Sequence, residues 1–90
     1  MDFEYDPAKS AANKRKHGIG FVEAQALWDD DDRIEVDVIS TTEPRCIVIG
    51  KIGKKFWTAV ITYRDDKVRL ISVRRSRKQE VTHYEKNLGD

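Results

Sequence analysis

Residues 55–75 read KFWTAVITYRDDKVRLISVRR, and this stretch decides the fold class. Two runs rich in Val, Ile and aromatic residues, KFWTAVITY (55–63) and KVRLISVR (67–74), flank a short turn at Asp65-Asp66. Working outward, RCIVIGKI (45–52) precedes them across a turn at Gly53-Lys54, and RIEVDV (33–38) precedes that. Strands joined by such short turns pair with their neighbours, so the pattern predicts an antiparallel meander.

Helical signals flank the meander. DFEYD at the N-terminus alternates over a few residues and predicts a short edge strand. Asp6 then reads as an N-cap with Pro7 in the first helical position, and Ala8, Ala11, Ala12 and Arg15 recur at helical spacing until His17-Gly18 stops them. A second helix places Phe21, Ala24, Leu27 and Trp28 on one face, and the run Asp29–Asp32 ends it. Past the meander, Ser76 followed by Gln79 has the form of a capping box. Val81, Tyr84 and Leu88 supply that helix's buried stripe and Gly89 its stop. The predicted fold is α+β, with two N-terminal helices and one C-terminal helix packed largely on one face of the sheet.

Ninety residues, 39% hydrophobic, suffice for one core, so one domain over residues 1–90 is expected. There is no apolar run of membrane-spanning length, and MDFEYDPAKS has neither a basic start nor an apolar segment of signal type. A cytoplasmic protein with no membrane contact is the expectation. The single cysteine, Cys46, has no intramolecular disulfide partner and reads as a small buried hydrophobe. No metal-ligand spacing is present, so neither metal nor cofactor is expected.

A net charge of +1 conceals a polarised chain. Residues 19–43 carry eight acidic groups and only Arg33, whereas residues 45–78 carry eleven basic groups against Asp65 and Asp66. A block this basic is the electrostatic footprint of a chain that meets phosphates, and the acidic block is either a solvated loop or an edge that docks a basic partner. Strict alternation in the last strand places Val68, Leu70, Ser72 and Arg74 on one face and Arg69, Ile71, Val73 and Arg75 on the other. The adjacent arginines diverge, and the helix that follows presents its N-terminal amides to the same anion.

The termini of this chain also carry a resemblance. FEYDPAKSAANKRKHGIGFVEA (3–24) resembles the N-terminal signature of BrnT-type toxins at Phe3, Glu4, Tyr5, Asp6, Lys9, Asn13, Lys16, His17, Gly18, Phe21, Glu23 and Ala24. RLISVRRSRKQEVTHYE (69–85) is similar to that family's second signature at Arg69, Ile71, Ser72, Arg74, Glu80, Tyr84 and Glu85. Tyr5, Val73 and Val81 depart from the family's Trp, Ala and Arg. The resemblance implies a RelE-like fold and a ribonuclease that arrests translation. It also implies neutralisation by a cognate BrnA-like ribbon-helix-helix antitoxin, with operator DNA reached only through the antitoxin complex.

Metal-free RNA cleavage needs the 2′-hydroxyl deprotonated, the charge of the pentacovalent phosphate stabilised and the 5′-oxygen protonated as it leaves. Arg74 and Arg75 suit the charge, and His17 or Glu80 the proton, with Tyr84 or Lys16 in support. Lys16, Arg69, Arg77, Lys78 and Trp57 are the expected RNA contacts. Two other readings compete with this one: a nucleic-acid-binding module without catalysis, and a degenerate toxin that acts only through its antitoxin. The antitoxin is expected to cover the arginine face, with Asp29–Asp32 as a secondary contact.

Overall fold

The computed structural model describes residues 2–39 and 43–89. Its elements run β1 (Asp2–Glu4), α1 (Pro7–His17), α2 (Phe21–Ala24) continued by a 3₁₀ turn (Gln25–Asp29), β2 (Ile34–Val38), β3 (Arg45–Ile52), β4 (Lys55–Arg64), β5 (Lys67–Arg75) and α3 (Lys78–Leu88). The sheet order is β1-β5-β4-β3-β2. Strands β2 to β5 form the expected antiparallel meander. The sheet as a whole is mixed, because β1 lies parallel to β5, with Phe3 opposite Val68.

Local chemistry accounts for the element ends. The Asp6 carboxylate accepts from the Ala8 N–H at 2.8 Å, and Gly18, at φ +82°, closes α1 in left-handed backbone, its N–H reaching the Lys14 carbonyl. Asp65 and Asp66 both take positive φ, 49° and 68°. That conformation gives a two-residue hairpin the right twist, and aspartate tolerates it.

One irregularity changes which face each β5 side chain meets. Val60 pairs with Ser72 but Ile61 pairs with Leu70, so Ile71 is an extra residue in β5. A bulge of this kind reverses the alternation beyond it. Val73 therefore joins Val68 and Leu70 in the core, and Arg74 moves to the opposite face. Strict alternation placed Leu70 with Arg74 and Val73 with Ile71, and the bulge overturns both pairings.

The helices also divide between the faces, contrary to the expectation that they share one. Residues of α1, α2 and the adjoining loop and turn cover the face formed by Val48, Trp57, Ala59, Ile61, Val68, Leu70 and Val73, with Ile19, Phe21, Ala24 and Leu27 buried against it. Helix α3 covers part of the other face, where Tyr84 packs with Ile34, Ile49 and Phe56. Tyr84 carries this packing, the first face being already filled, whereas Leu88, expected in the same buried stripe, is 49% exposed.

Gly50 shows how closely the first layer sits. A Cβ there would lie 3.1 Å from Leu27 Cδ2 and 3.3 Å from Asp30 Oδ2. Gly50→Ala is expected to cost about 1–3 kcal/mol through overpacking, measurable by chemical denaturation.

Candidate active site

The network at the junction of β5 and α3 begins with Arg74. Its guanidinium forms a two-pronged pair with Glu80, 2.7 Å to Oε1 and 2.9 Å to Oε2. Glu80 is the third residue of α3, and its Oε1 also accepts from the Arg77 N–H at 2.7 Å and the Thr58 hydroxyl at 3.1 Å. Thr58 and Ser76 share a 2.7 Å hydrogen bond. Since the Thr58 proton goes to Glu80, Ser76 is the donor of that bond. The helix cap is therefore built one residue later than the Ser76–Gln79 spacing predicted: Arg77 is the N-cap, and Ser76 is spent on β4.

With these donors around it, Glu80 is held as a carboxylate. The Arg74 bonds act first and those from Arg77 N–H and Thr58 add to them; together they outweigh burial and bring its pKa down to about 2. A carboxylate held this way is ionised near neutrality and has no proton to give, and its two bonds orient Arg74.

Tyr84 does not join this network. Its hydroxyl donates to Asp30 Oδ2 at 2.8 Å, and its ring packs edge-on against Phe56. Burial and the Asp30 carboxylate push its pKa up to about 12. The same Asp30 oxygen accepts the Lys51 N–H at 2.8 Å, so Tyr84 ties α3 to the acidic turn across β3.

Both shifts make the stability of the fold depend on pH. Glu80, with its pKa lowered from 4.5, stabilises the fold above that value, and the contribution is lost as pH falls towards 2. Tyr84, with its pKa raised from 10, stabilises the fold below that value, and the contribution is lost as pH rises towards 12. Denaturation at a series of pH values should show both losses, and Glu80→Gln should flatten the acid limb.

Arg75 points the other way. Its guanidinium lies over the Trp57 ring, 5.5 Å from the centroid, and the side chain is exposed. Trp57 is only 8% exposed, and Arg75 covers it. It supports the guanidinium from the core side and does not offer a base the open stacking surface expected of it.

Hairpin pairing adds two cations that sequence separation hid. Trp57 pairs with Arg75, and the Ser76 N–H donates to the Phe56 carbonyl at 3.1 Å. Lys54 and Lys55, at the β3–β4 turn, therefore stand at the same end of the sheet as Arg77 and Lys78. All four are exposed, as is Arg75. Among the described residues, none of the five has an ion-pair partner.

Asn13 anchors the end of α1 to this region. Buried at 7% exposure, its side-chain amide donates to the Val73 and Ile19 carbonyls, both at 2.8 Å, and accepts the Val73 N–H at 3.1 Å. The side chain replaces a neighbouring strand where β1 is too short to reach. His17 lies one helical turn further on, half-buried, beside exposed Lys16.

Arg69 is not part of the cluster. It sits near the start of β5, five residues and roughly 16 Å from Arg74 at about 3.3 Å per residue, and pairs with Glu4 at 3.6 Å. Cys46 is half-buried and its thiol donates to Asp37. No group of three or more His, Cys, Asp or Glu residues is placed to hold a metal ion among the described residues, and no helix described is long and apolar enough to cross a membrane.

The family model for the ribonuclease toxin, BrnT, of type II toxin-antitoxin systems matches residues 5–80. No curated protein matches the chain.

Proposed function

Because the chain belongs to the BrnT family of ribonuclease toxins of type II toxin-antitoxin systems, we propose that it cleaves RNA at the junction of β5 and α3, without a metal ion, and so inhibits translation. The observation that carries this reading is the rim of five cations with no ion-pair partner among the described residues, Lys54, Lys55, Arg75, Arg77 and Lys78, beside an arginine already oriented by Glu80. Like charges gathered without counter-ions raise the local concentration of a polyanion.

In the proposed reaction the 2′-oxygen attacks phosphorus and the bond to the 5′-oxygen breaks, leaving a 2′,3′-cyclic phosphate. Arg75 stabilises the charge that builds on the phosphate oxygens, and Arg74, held by Glu80 on the other face of β5, adds to the positive potential at this end of the sheet. His17 takes the 2′ proton, imidazole being suited to proton transfer near neutrality, and Lys16 protonates the leaving oxygen. This reading is supported by the Asn13 anchor, which ties the helix bearing Lys16 and His17 to the residue before Arg74. Glu80 and Tyr84 serve the site by position, holding Arg74 and α3.

The same reading includes a RelE-like arrangement of the sheet and helices, a cytoplasmic site of action and neutralisation by a BrnA-like antitoxin that covers the cationic rim. RNA affinity should be largely electrostatic. For a single-stranded oligonucleotide the log–log slope against salt is expected at about −0.7 per phosphate contacted, shallower by about two contacts in Lys54→Gln/Lys55→Gln. Salt-insensitive binding, or an unchanged slope in that variant, would remove the rim from the RNA path.

A further inference from the structure

We propose that the open edge of β2 accepts an extended, basic segment of a partner protein as a sixth strand. On the function proposed above that partner is the antitoxin, and only this assignment rests on that reading. Among the described residues β2 ends the sheet and pairs on one side alone, with β3, which leaves an edge that can template another strand. At its C-terminal end Val38 is 41% exposed and the next residue, Ile39, fully so.

Charge selects the occupant. Asp29, Asp31, Asp32, Glu35 and Asp37 are exposed, and none has an ion-pair partner among the described residues. Glu35 and Asp37 share one face of β2, and among the described residues they receive the Tyr63 hydroxyl and the Cys46 thiol. The nearby Arg33 is turned to the backbone carbonyls of Trp28 and Asp30.

Phosphates are repelled from such an edge, which excludes RNA. A second copy paired through the same edge would set the two carboxylate rows against each other, and like charges across strands are destabilising. A strand with Lys or Arg on one face and apolar residues on the other fits, its cations beside Glu35 and Asp37 and its apolar side chains beside Val36 and Val38. This edge lies three strand spacings from β5, roughly 14 Å, so a partner anchored there leaves the cationic rim to a separate inhibitory contact.

Amide hydrogen exchange on the whole chain, with three synthetic peptides as probes, tests the proposal. An alternating Lys–Val octapeptide should slow exchange in residues 34–39, whereas the Glu–Val and Lys–Gly counterparts should not. Glu35→Lys/Asp37→Lys should weaken Lys–Val binding at least ~10-fold, the loss of two favourable charge contacts, and leave the affinity for single-stranded RNA no lower. No slowing, slowing by the Glu–Val or Lys–Gly peptide, slowing confined to the β5–α3 junction, concentration-dependent slowing without peptide, or slowing by RNA at these amides would each overturn the edge site. A chain that takes the Lys–Val peptide at β2 but cuts no RNA would retain the edge site and remove the antitoxin assignment.

Discussion

Replacing Arg75 by alanine is expected to lower the rate of RNA cleavage at least about 100-fold, the scale of losing one preorganised stabiliser of transition-state charge. The side chain is exposed and has no carboxylate partner among the described residues, so the fold should lose little beyond its cover over Trp57. Losing an exposed cation–π contact costs only about 0.5–1 kcal/mol. The discriminating comparison is single-turnover cleavage against the melting temperature of the same preparation. Arg75→Lys should recover only part of the rate, because an ammonium keeps the charge but not the planar fork that faces two phosphate oxygens.

Arg74→Ala should behave differently. It strands the buried Glu80 carboxylate, which would keep only the Arg77 N–H and the Thr58 hydroxyl as donors. Breaking a buried pair in this way costs about 3–5 kcal/mol, reduced here to about 2–4 because Arg74 reaches solvent. For a chain of this size that corresponds to a fall in Tm on the order of 10–20 °C. Adding Glu80→Gln should restore part of the loss, since the amide oxygen still accepts from Arg77 and Thr58 while the buried charge is gone. If the double variant is less stable than Arg74→Ala alone, Glu80 is not held by the pair as described. The contrast matters for function: loss of activity in Arg74→Ala mixes chemistry with unfolding, whereas loss in Arg75→Ala does not.

Much of the architecture was legible from local chemistry. Asp6, Pro7 and Gly18 bound α1 because caps act through backbone groups a few residues away, and the Asp65-Asp66 turn fixes the β4–β5 hairpin in the same short-range way. The face assignments were legible only as far as Leu70. The bulge at Ile71 leaves no local signature in a run of apolar residues, yet it reverses the positions of Val73, Arg74 and Arg75. The side of the sheet taken by α3 depended on the first face already being filled by Ile19, Phe21, Ala24 and Leu27.

The candidate site was legible in part for the same reason. The arginines stood out as neighbours in sequence, and their divergence followed from strand geometry. Thr58 and Lys55 did not stand out, because their relation to Ser76 and Arg77 exists only once β4 lies against β5. Asn13 matches the N-terminal signature, but its reach to a strand 60 residues away leaves no mark in the local helical pattern. A buried polar residue in an otherwise exposed helix is the signal that finds it, and burial has to be seen.

The most direct test of the central claim is incubation of the purified, antitoxin-free chain with naked RNA in EDTA, with the fragment ends identified chemically. The expected result is cleavage, fragments ending in a 2′,3′-cyclic phosphate or its hydrolysis product, and at least a ~100-fold slower reaction for Arg75→Ala. Intact RNA, cleavage that disappears with EDTA, fragments ending in a free 3′-hydroxyl, or wild-type rates in both Arg75→Ala and His17→Ala would contradict it.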